Sequence, residues 1–110
     1  MDFKEIQEKV IKNSLAYGKE HNIKINEEFA LLKLYEEVGE FSQAVLIHKK
    51  ISRPEKHVSE EKSKEELAKE LSDVLGLVII NAHIFNIDLE ETIIKKWIKR
   101  EGYTPFKNNI

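Results

Sequence analysis

Apolar residues recur at every third or fourth position along most of this chain, rather than with the period of two expected of a β-strand. This pattern predicts four helices, over residues 2–20, 27–49, 64–85 and 89–100. Only two prolines and four glycines occur among the 110 residues, so few positions oppose helix formation. The predicted fold is all-α, a single domain over residues 1–110 built as a four-helix, bundle-like protomer.

Short polar residues mark the predicted helix starts. In a capping box, the first side chain accepts a hydrogen bond from a free backbone N–H, and an acidic residue three positions later reaches back. This pattern occurs at Asp2 with Glu5, Ser63 with Glu66, and Asp88 with Glu91. Asn26 can cap the remaining helix. Because the connections at 21–25 and 86–87 are short, helices one and two, and helices three and four, are predicted to be antiparallel neighbours.

Two short acidic motifs provide the candidate chemistry. Glu37 and Glu40 lie three residues apart in the second predicted helix, and Glu70 and Asp73 lie three apart in the third. Residues at this spacing share one helical face, about 60° apart, so each helix presents two carboxylates in one direction. If the middles of the two helices meet, four carboxylates gather in one cluster and require a cation. All-oxygen ligands favour a hard cation such as Mg²⁺ or Mn²⁺.

The surroundings of these acids differ from those of a solvated helix face. In a chain with 35% charged residues, acidic pairs at this spacing are common on solvent-facing surfaces. Glu37, however, shares its side of the helix with Leu34 and Phe41, and Asp73 shares its side with Leu77. The acids therefore face the predicted core.

Gly39 and Gly76 lie beside the acidic pairs, inside the predicted helices. A glycine there costs about 1 kcal/mol relative to alanine. Two explanations are open: close approach of another helix, or clearance for a ligand or metal.

Taken together, the two acidic motifs resemble the sequence pattern of the MazG-like nucleoside triphosphate pyrophosphohydrolases, which is E-E-x-x-E followed at a distance by E-x-x-D. Here the pattern reads Glu36-Glu37-Val38-Gly39-Glu40 and Glu70-Leu71-Ser72-Asp73, and the resemblance extends over residues 29–103. It implies the all-α NTP pyrophosphatase fold and an enzyme that converts a nucleoside triphosphate to a monophosphate and pyrophosphate, with Mg²⁺ or Mn²⁺ as cofactor.

The resemblance also assigns roles to residues. It implies as metal ligands Glu37, Glu40, Glu70 and Asp73. Glu36 is a further catalytic candidate that helps to orient a ligand or water. Independently of the resemblance, three cations near the end of the last predicted helix are expected to hold the phosphates: Lys96, Lys99 and Arg100. A solvated helix end is the alternative interpretation for these cations. His48 lies on the face of Glu37, but a packed or surface role is favoured for it over a substrate contact.

Alternative functions remain open. Relatives that hydrolyse dUTP, dCTP or phosphoribosyl-ATP would carry the same carboxylates, and a metal-free helical interaction module would carry them only by chance. The biological task implied by the resemblance is the removal of unwanted nucleotides.

The composition restricts partners and location. With 18 basic and 20 acidic residues, the chain lacks the positive excess of nucleic-acid-binding proteins. It has no cysteine, which excludes disulfides and thiolate zinc sites. The longest uncharged stretch, at 74–87, is about fourteen residues and too short to span a bilayer, and the start of the chain lacks the pattern of a signal peptide. We therefore expect a cytoplasmic protein without a membrane partner, and a homodimer or homotetramer, because the apolar residues extend around much of the two central helices.

Overall fold

The computed structural model describes residues 1–99, and these residues form helices and turns without strands. The helices are α1 (Phe3–His21), α2 (Glu27–His48), α3 (Glu60–Ile84) and α4 (Leu89–Ile93). A 3₁₀ turn, Pro54–Lys56, lies between α2 and α3, and α4 continues as a π-helical segment, Ile94–Ile98. The all-α prediction is confirmed.

Three of the four predicted caps are confirmed. The side chains of Asp2, Asn26 and Asp88 each accept a backbone hydrogen bond from the residue three positions later, at 2.9, 3.0 and 3.0 Å. These bonds satisfy donors that a helix start otherwise leaves free.

The predicted cap at Ser63 is wrong, and α3 begins four residues earlier than predicted. Ser59 is the N-cap, accepting a hydrogen bond from the backbone N–H of Lys62 at 3.1 Å. Ser63 lies inside the helix and is only 2% exposed. Its hydroxyl bonds instead to the backbone oxygen of Glu60 and to the ring of His48.

The main packing contact of the fold joins α2 and α3. Small and branched side chains are buried along these helices: Ala30, Ala44, Ile79, Ile80 and Ala82. α1 packs mainly against α3 rather than against α2, its neighbour in sequence. The prediction from connection length therefore missed the principal partner of α1.

The prediction that α4 folds back along α3 is also wrong. The chain bends by 110° between α3 and the segment Leu89–Ile98, so this segment does not run antiparallel along α3. Asn86, with φ of 56°, lies at this bend in the left-handed conformation that asparagine tolerates better than most residues.

Within residues 1–99, no single helix combines the length and the apolar character needed to cross a membrane. α3 and Leu89–Ile98 meet those two conditions only when taken together, across the 110° bend.

Candidate metal centre

The packing of α2 on α3 brings together acids from both helices. Glu37 of α2 and Glu70 and Asp73 of α3 each place a carboxylate oxygen such that the three atoms lie within 4.8 Å of one another. We call these three residues the acidic cluster. Helix geometry directs the acids of each helix to one side, and the interhelical packing turns the two sides toward each other.

Two oxygen atoms of the acidic cluster are buried without a partner. Oε2 of Glu37 and Oε2 of Glu70 have no contact with solvent and no hydrogen-bond donor among the described residues. Glu37 as a whole is 9% exposed. Buried carboxylate oxygens are normally paired, because removing them from water without compensation is costly. Their arrangement, with all-oxygen donors, fits a divalent cation.

The electrostatics of the cluster favour protonation when no cation is present. Burial raises the pKa of Glu37 to about 7, assisted by a hydrogen bond and the negative charge of Glu40 and by the charge of Asp73. Burial also raises the pKa of Glu70, again with contributions from the charges of Glu40 and Asp73. Like charges held close together disfavour ionisation, so the acids resist carrying full charge simultaneously.

The other predicted acids differ in position. Glu40 is exposed and does not belong to the acidic cluster. It nevertheless lies close enough to raise the pKa values of both Glu37 and Glu70. The carboxylate of Glu36 points to a different partner, accepting a hydrogen bond from Nζ of Lys33 at 2.6 Å. Its side chain is 53% exposed. The structure therefore groups three of the predicted ligands, keeps Glu40 adjacent, and separates Glu36.

The predicted phosphate contacts lie at the end of the described chain. Lys96 belongs to the π-helical segment and Lys99 follows it, and both side chains are exposed. Among the described residues neither forms an ion pair with the acidic cluster. Arg100 lies outside the described residues.

A cleft of about 350 Å³ opens beside Asp73, and we call it the α1–α3 cleft. Asn13 and Tyr17 of α1, Lys33 of α2 and Gly76 of α3 are among the residues that line it. Sequence reasoning did not single out the three polar residues among these. Lys33 had a usable signal, because it lies four residues before Glu37 and so on the same helical face, whereas the contribution of α1 depends on its packing against α3.

Gly39 and Gly76 are not used for close helix packing among residues 1–99. An added Cβ at Gly39 or at Gly76 would meet no atom within 4 Å. For Gly76 the open space is the α1–α3 cleft itself, which favours clearance for a ligand over close helix approach.

His48 has the packed role that the sequence favoured. Its Nδ1 lies 2.7 Å from Oγ of Ser63, and the ring is partly buried at the end of α2.

The chain was compared with known proteins. A search of curated proteins and a search of solved structures each gave no match. A family model described as the MazG nucleotide pyrophosphohydrolase domain matches residues 25–104, which include α2, α3 and every member of the acidic cluster. Enzymes of this family generally depend on a divalent metal. On this match over most of its length, the chain belongs to the MazG nucleotide pyrophosphohydrolase domain family.

Proposed function

We propose that this protein is a Mg²⁺-dependent pyrophosphohydrolase that converts a nucleoside triphosphate and water to a monophosphate and pyrophosphate. The observation that carries the proposal is the pair of buried, unpartnered oxygens of Glu37 and Glu70 beside Asp73. Family membership supplies the reaction class.

The acidic cluster would hold the cation, with Glu40 adding a further carboxylate from its exposed position. A divalent ion bound there would neutralise phosphate charge and lower the pKa of a water molecule that attacks phosphorus. Mn²⁺ would fit the same oxygen donors. Without a cation, the cluster would repel a triphosphate, which carries about four negative charges near neutral pH.

The α1–α3 cleft is proposed to bind the nucleoside. Its volume of about 350 Å³ lies within the range of small-molecule sites. Asn13 offers an amide with both donors and acceptors, and Tyr17 offers a phenol, so the walls carry groups able to read a base or sugar. Phe29 adds an aromatic ring. The cleft includes Asp73, which would bring a bound nucleotide next to the cluster.

Lys33 is proposed as a phosphate contact. It lines the α1–α3 cleft, and its positive charge lowers the pKa of Glu37, offsetting a small part of the rise caused by burial. The hydrogen bond that Lys33 donates to Glu36 raises the pKa of Lys33, which keeps the ammonium group charged. Glu36 would then orient Lys33 rather than bind metal. The exposed Lys96 and Lys99, together with Arg100, are proposed as further phosphate contacts.

We also propose that the active form is a homodimer or homotetramer. The outer face of α3 carries an apolar groove of about 620 Å³ whose lining is almost entirely apolar. Leu71 and Leu75 in this groove are 55% and 47% exposed. Contiguous apolar surface of this kind marks an interaction site. A second copy of the chain would present the same apolar groove, so two copies could cover each other's exposed leucines.

The experiment that tests the function measures pyrophosphate release from a panel of substrates, with Mg²⁺ or with EDTA. The panel contains the standard ribo- and deoxyribonucleoside triphosphates, dCTP among them, together with dUTP, oxidised or deaminated nucleotides, and phosphoribosyl-ATP. Turnover of modified nucleotides in preference to standard ones would support nucleotide removal as the biological role. Turnover of dUTP, dCTP or phosphoribosyl-ATP alone would show that the protein has the substrate specificity of the corresponding relatives. A wild-type protein that hydrolyses none of them in Mg²⁺ overturns the enzymatic proposal in favour of an interaction module.

A further inference from the structure

Two side-chain hydrogen bonds cross between α2 and α3, one on each side of the acidic cluster. At one end, Nδ2 of Asn81 donates to the backbone oxygen of Ala30 at 3.0 Å, and also to the oxygen of Leu77 in its own helix at 2.7 Å. At the other end, Nδ1 of His48 lies 2.7 Å from Oγ of Ser63. We call these two bonds the cross-helix ties.

The chemistry of each tie is specific. The hydroxyl of Ser63 has a single hydrogen, which it donates to the backbone oxygen of Glu60 at 2.9 Å. His48 must therefore donate from Nδ1 to Ser63. Asn81 uses its amide group to donate to two carbonyls, a role that an aspartate of the same shape does not fill. Both ties are partly buried, where an unpaired donor or acceptor is costly.

The ties have matching positions along the two helices. From Ala30 to His48 the chain advances 18 residues along α2, and from Ser63 to Asn81 it advances 18 residues along α3. Eighteen residues are five full turns of α-helix, so Ala30 and His48 lie on one face of α2, and Ser63 and Asn81 lie on one face of α3. Together they define one antiparallel register between α2 and α3.

The acidic cluster lies in the middle of this span. Glu37 is seven residues beyond Ala30, and Glu70 is seven residues beyond Ser63. Each of these acids is therefore about two turns, or about 11 Å, from the nearest tie on its own helix. The ties thus hold the two helices in register on both sides of the carboxylates.

The remaining α2–α3 contacts do not define this register as sharply. Small and branched apolar residues such as Ala30, Ala44 and Ile80 pack in several helix alignments, whereas buried polar groups are satisfied in only one. A slip of one helical turn moves α3 by about 5.4 Å against α2, too far for carboxylates to share a cation. In the metal-free protein, repulsion among the acids favours such a slip.

We propose that Asn81, Ser63 and His48 are positioning residues for the metal centre, because their cross-helix ties fix the register that keeps the carboxylates of α2 and α3 within shared reach of one cation. This inference rests on the proposed function of the acidic cluster. None of the three residues would itself bind the cation. They act on it through the alignment of the helices.

The test compares Asn81→Leu, Ser63→Ala and the double variant with wild type. Ser42→Ala is the matched control, since the hydroxyl of Ser42 bonds only within α2, to the oxygen of Val38 at 3.1 Å. The dissociation constant for Mn²⁺ alone, without nucleotide, is measured from the electron paramagnetic resonance signal of free Mn²⁺. Helical content and melting temperature are measured in EDTA. We expect each single variant to bind Mn²⁺ about threefold more weakly, and the double variant to bind at least tenfold more weakly, with Ser42→Ala unchanged.

The outcomes separate this inference from the proposed function. A wild-type protein that does not bind Mn²⁺ overturns both. Wild-type binding together with variants that bind within the error of wild type overturns the positioning role alone. A merely structural role would lower the melting temperature in EDTA and leave the dissociation constant of the folded protein unchanged, and that result also overturns the inference. If the double variant does not fold, the two single variants decide, because each removes only one tie.

Discussion

The carboxylate oxygens of Glu37 on α2 and Glu70 on α3 lie within 4.8 Å of each other, although both groups carry negative charge when ionised. Within residues 1–99, each also holds one oxygen that is buried and lacks a hydrogen-bond donor. A proton or a cation relieves this repulsion. Protonation is favoured at low pH, whereas cation binding is favoured at high pH. The two effects can therefore be measured separately in solution.

The metal-free protein is expected to lose stability as pH rises from about 4.5 to about 7. An unfolded glutamate titrates near 4.5, whereas burial raises the pKa of Glu37 to about 7. Between these values the folded state retains a proton that the unfolded state has released, so the free energy of unfolding falls with pH, by at most about 3 kcal/mol for this group. Denaturant titrations in EDTA across this range measure the slope. Glu37→Gln should reduce the slope, leaving the part that comes from Glu70, and an unchanged slope in that variant would refute the assignment.

Mg²⁺ is expected to raise the melting temperature of the wild-type protein. Ligand at a hundredfold excess over its dissociation constant stabilises the folded state by about 2.7 kcal/mol, which corresponds to several degrees in a chain of this size. Glu37→Gln and Asp73→Asn should abolish the shift and lower turnover by about 100-fold or more. Glu65→Gln, an exposed acid on the same helix as Asp73, is the control and should retain both. Scanning calorimetry with and without Mg²⁺ gives the comparison.

Lys33→Met is expected to raise KM for the triphosphate by about tenfold. A charge-assisted hydrogen bond to phosphate contributes about 1.5–3 kcal/mol, and Lys33 lies in the cleft beside Asp73. The shift in melting temperature with Mg²⁺ should persist, because Lys33 is not a metal ligand. Lys64→Met, exposed on α3, serves as the control. If Lys96→Met or Lys99→Met raises KM while Lys33→Met does not, the phosphates bind at the C-terminal lysines instead.

Gly76→Ala is expected to stabilise the protein while weakening substrate binding. The added methyl group meets no atom within 4 Å, so the gain in helix propensity should be about 1 kcal/mol. The same methyl group projects into the α1–α3 cleft and should raise KM. Gly39→Ala has equal space but lies outside that cleft, so it should give the stability gain without a change in KM. Unchanged KM in Gly76→Ala would argue against substrate binding in this cleft.

Leu75→Glu is expected to shift the protein toward a monomer of 12.9 kDa. Leu75 lies in the apolar groove on the outer face of α3, and a charged side chain in an apolar interface is costly to bury. Light scattering coupled to size-exclusion chromatography measures the mass. Lys64→Glu, exposed on the same helix, should leave the mass of the wild-type oligomer unchanged. A monomeric wild-type protein would remove the basis for the oligomer proposal.

The sequence predicted the features that depend on local geometry. The caps at Asn26 and Asp88 follow from a side chain reaching a backbone group three residues away. The shared direction of Glu70 and Asp73 follows from the turn of one helix. Both are decided within a few residues, so tertiary structure had little opportunity to change them.

The features missed by the sequence depend on contacts between distant residues. Ser63 has an acid three residues later, as a capping box requires, whereas Ser59 has Lys62 at that position, yet Ser59 caps α3 and Ser63 is buried against His48. The contribution of Asn13 and Tyr17 to the cleft depends on α1 packing against α3, which the short connection to α2 did not indicate. The register of α2 on α3 likewise depends on bonds between residues 51 and 15 positions apart in sequence.

The tie between His48 and Ser63 lies between the α2–α3 connection and the acidic cluster, so it joins the two helices where that connection leaves one and enters the other. Residues inserted or deleted within the connection would change its length without altering the spacing of the carboxylate oxygens in the acidic cluster. A change in the length of this segment is therefore expected to leave the arrangement of the acidic cluster unchanged.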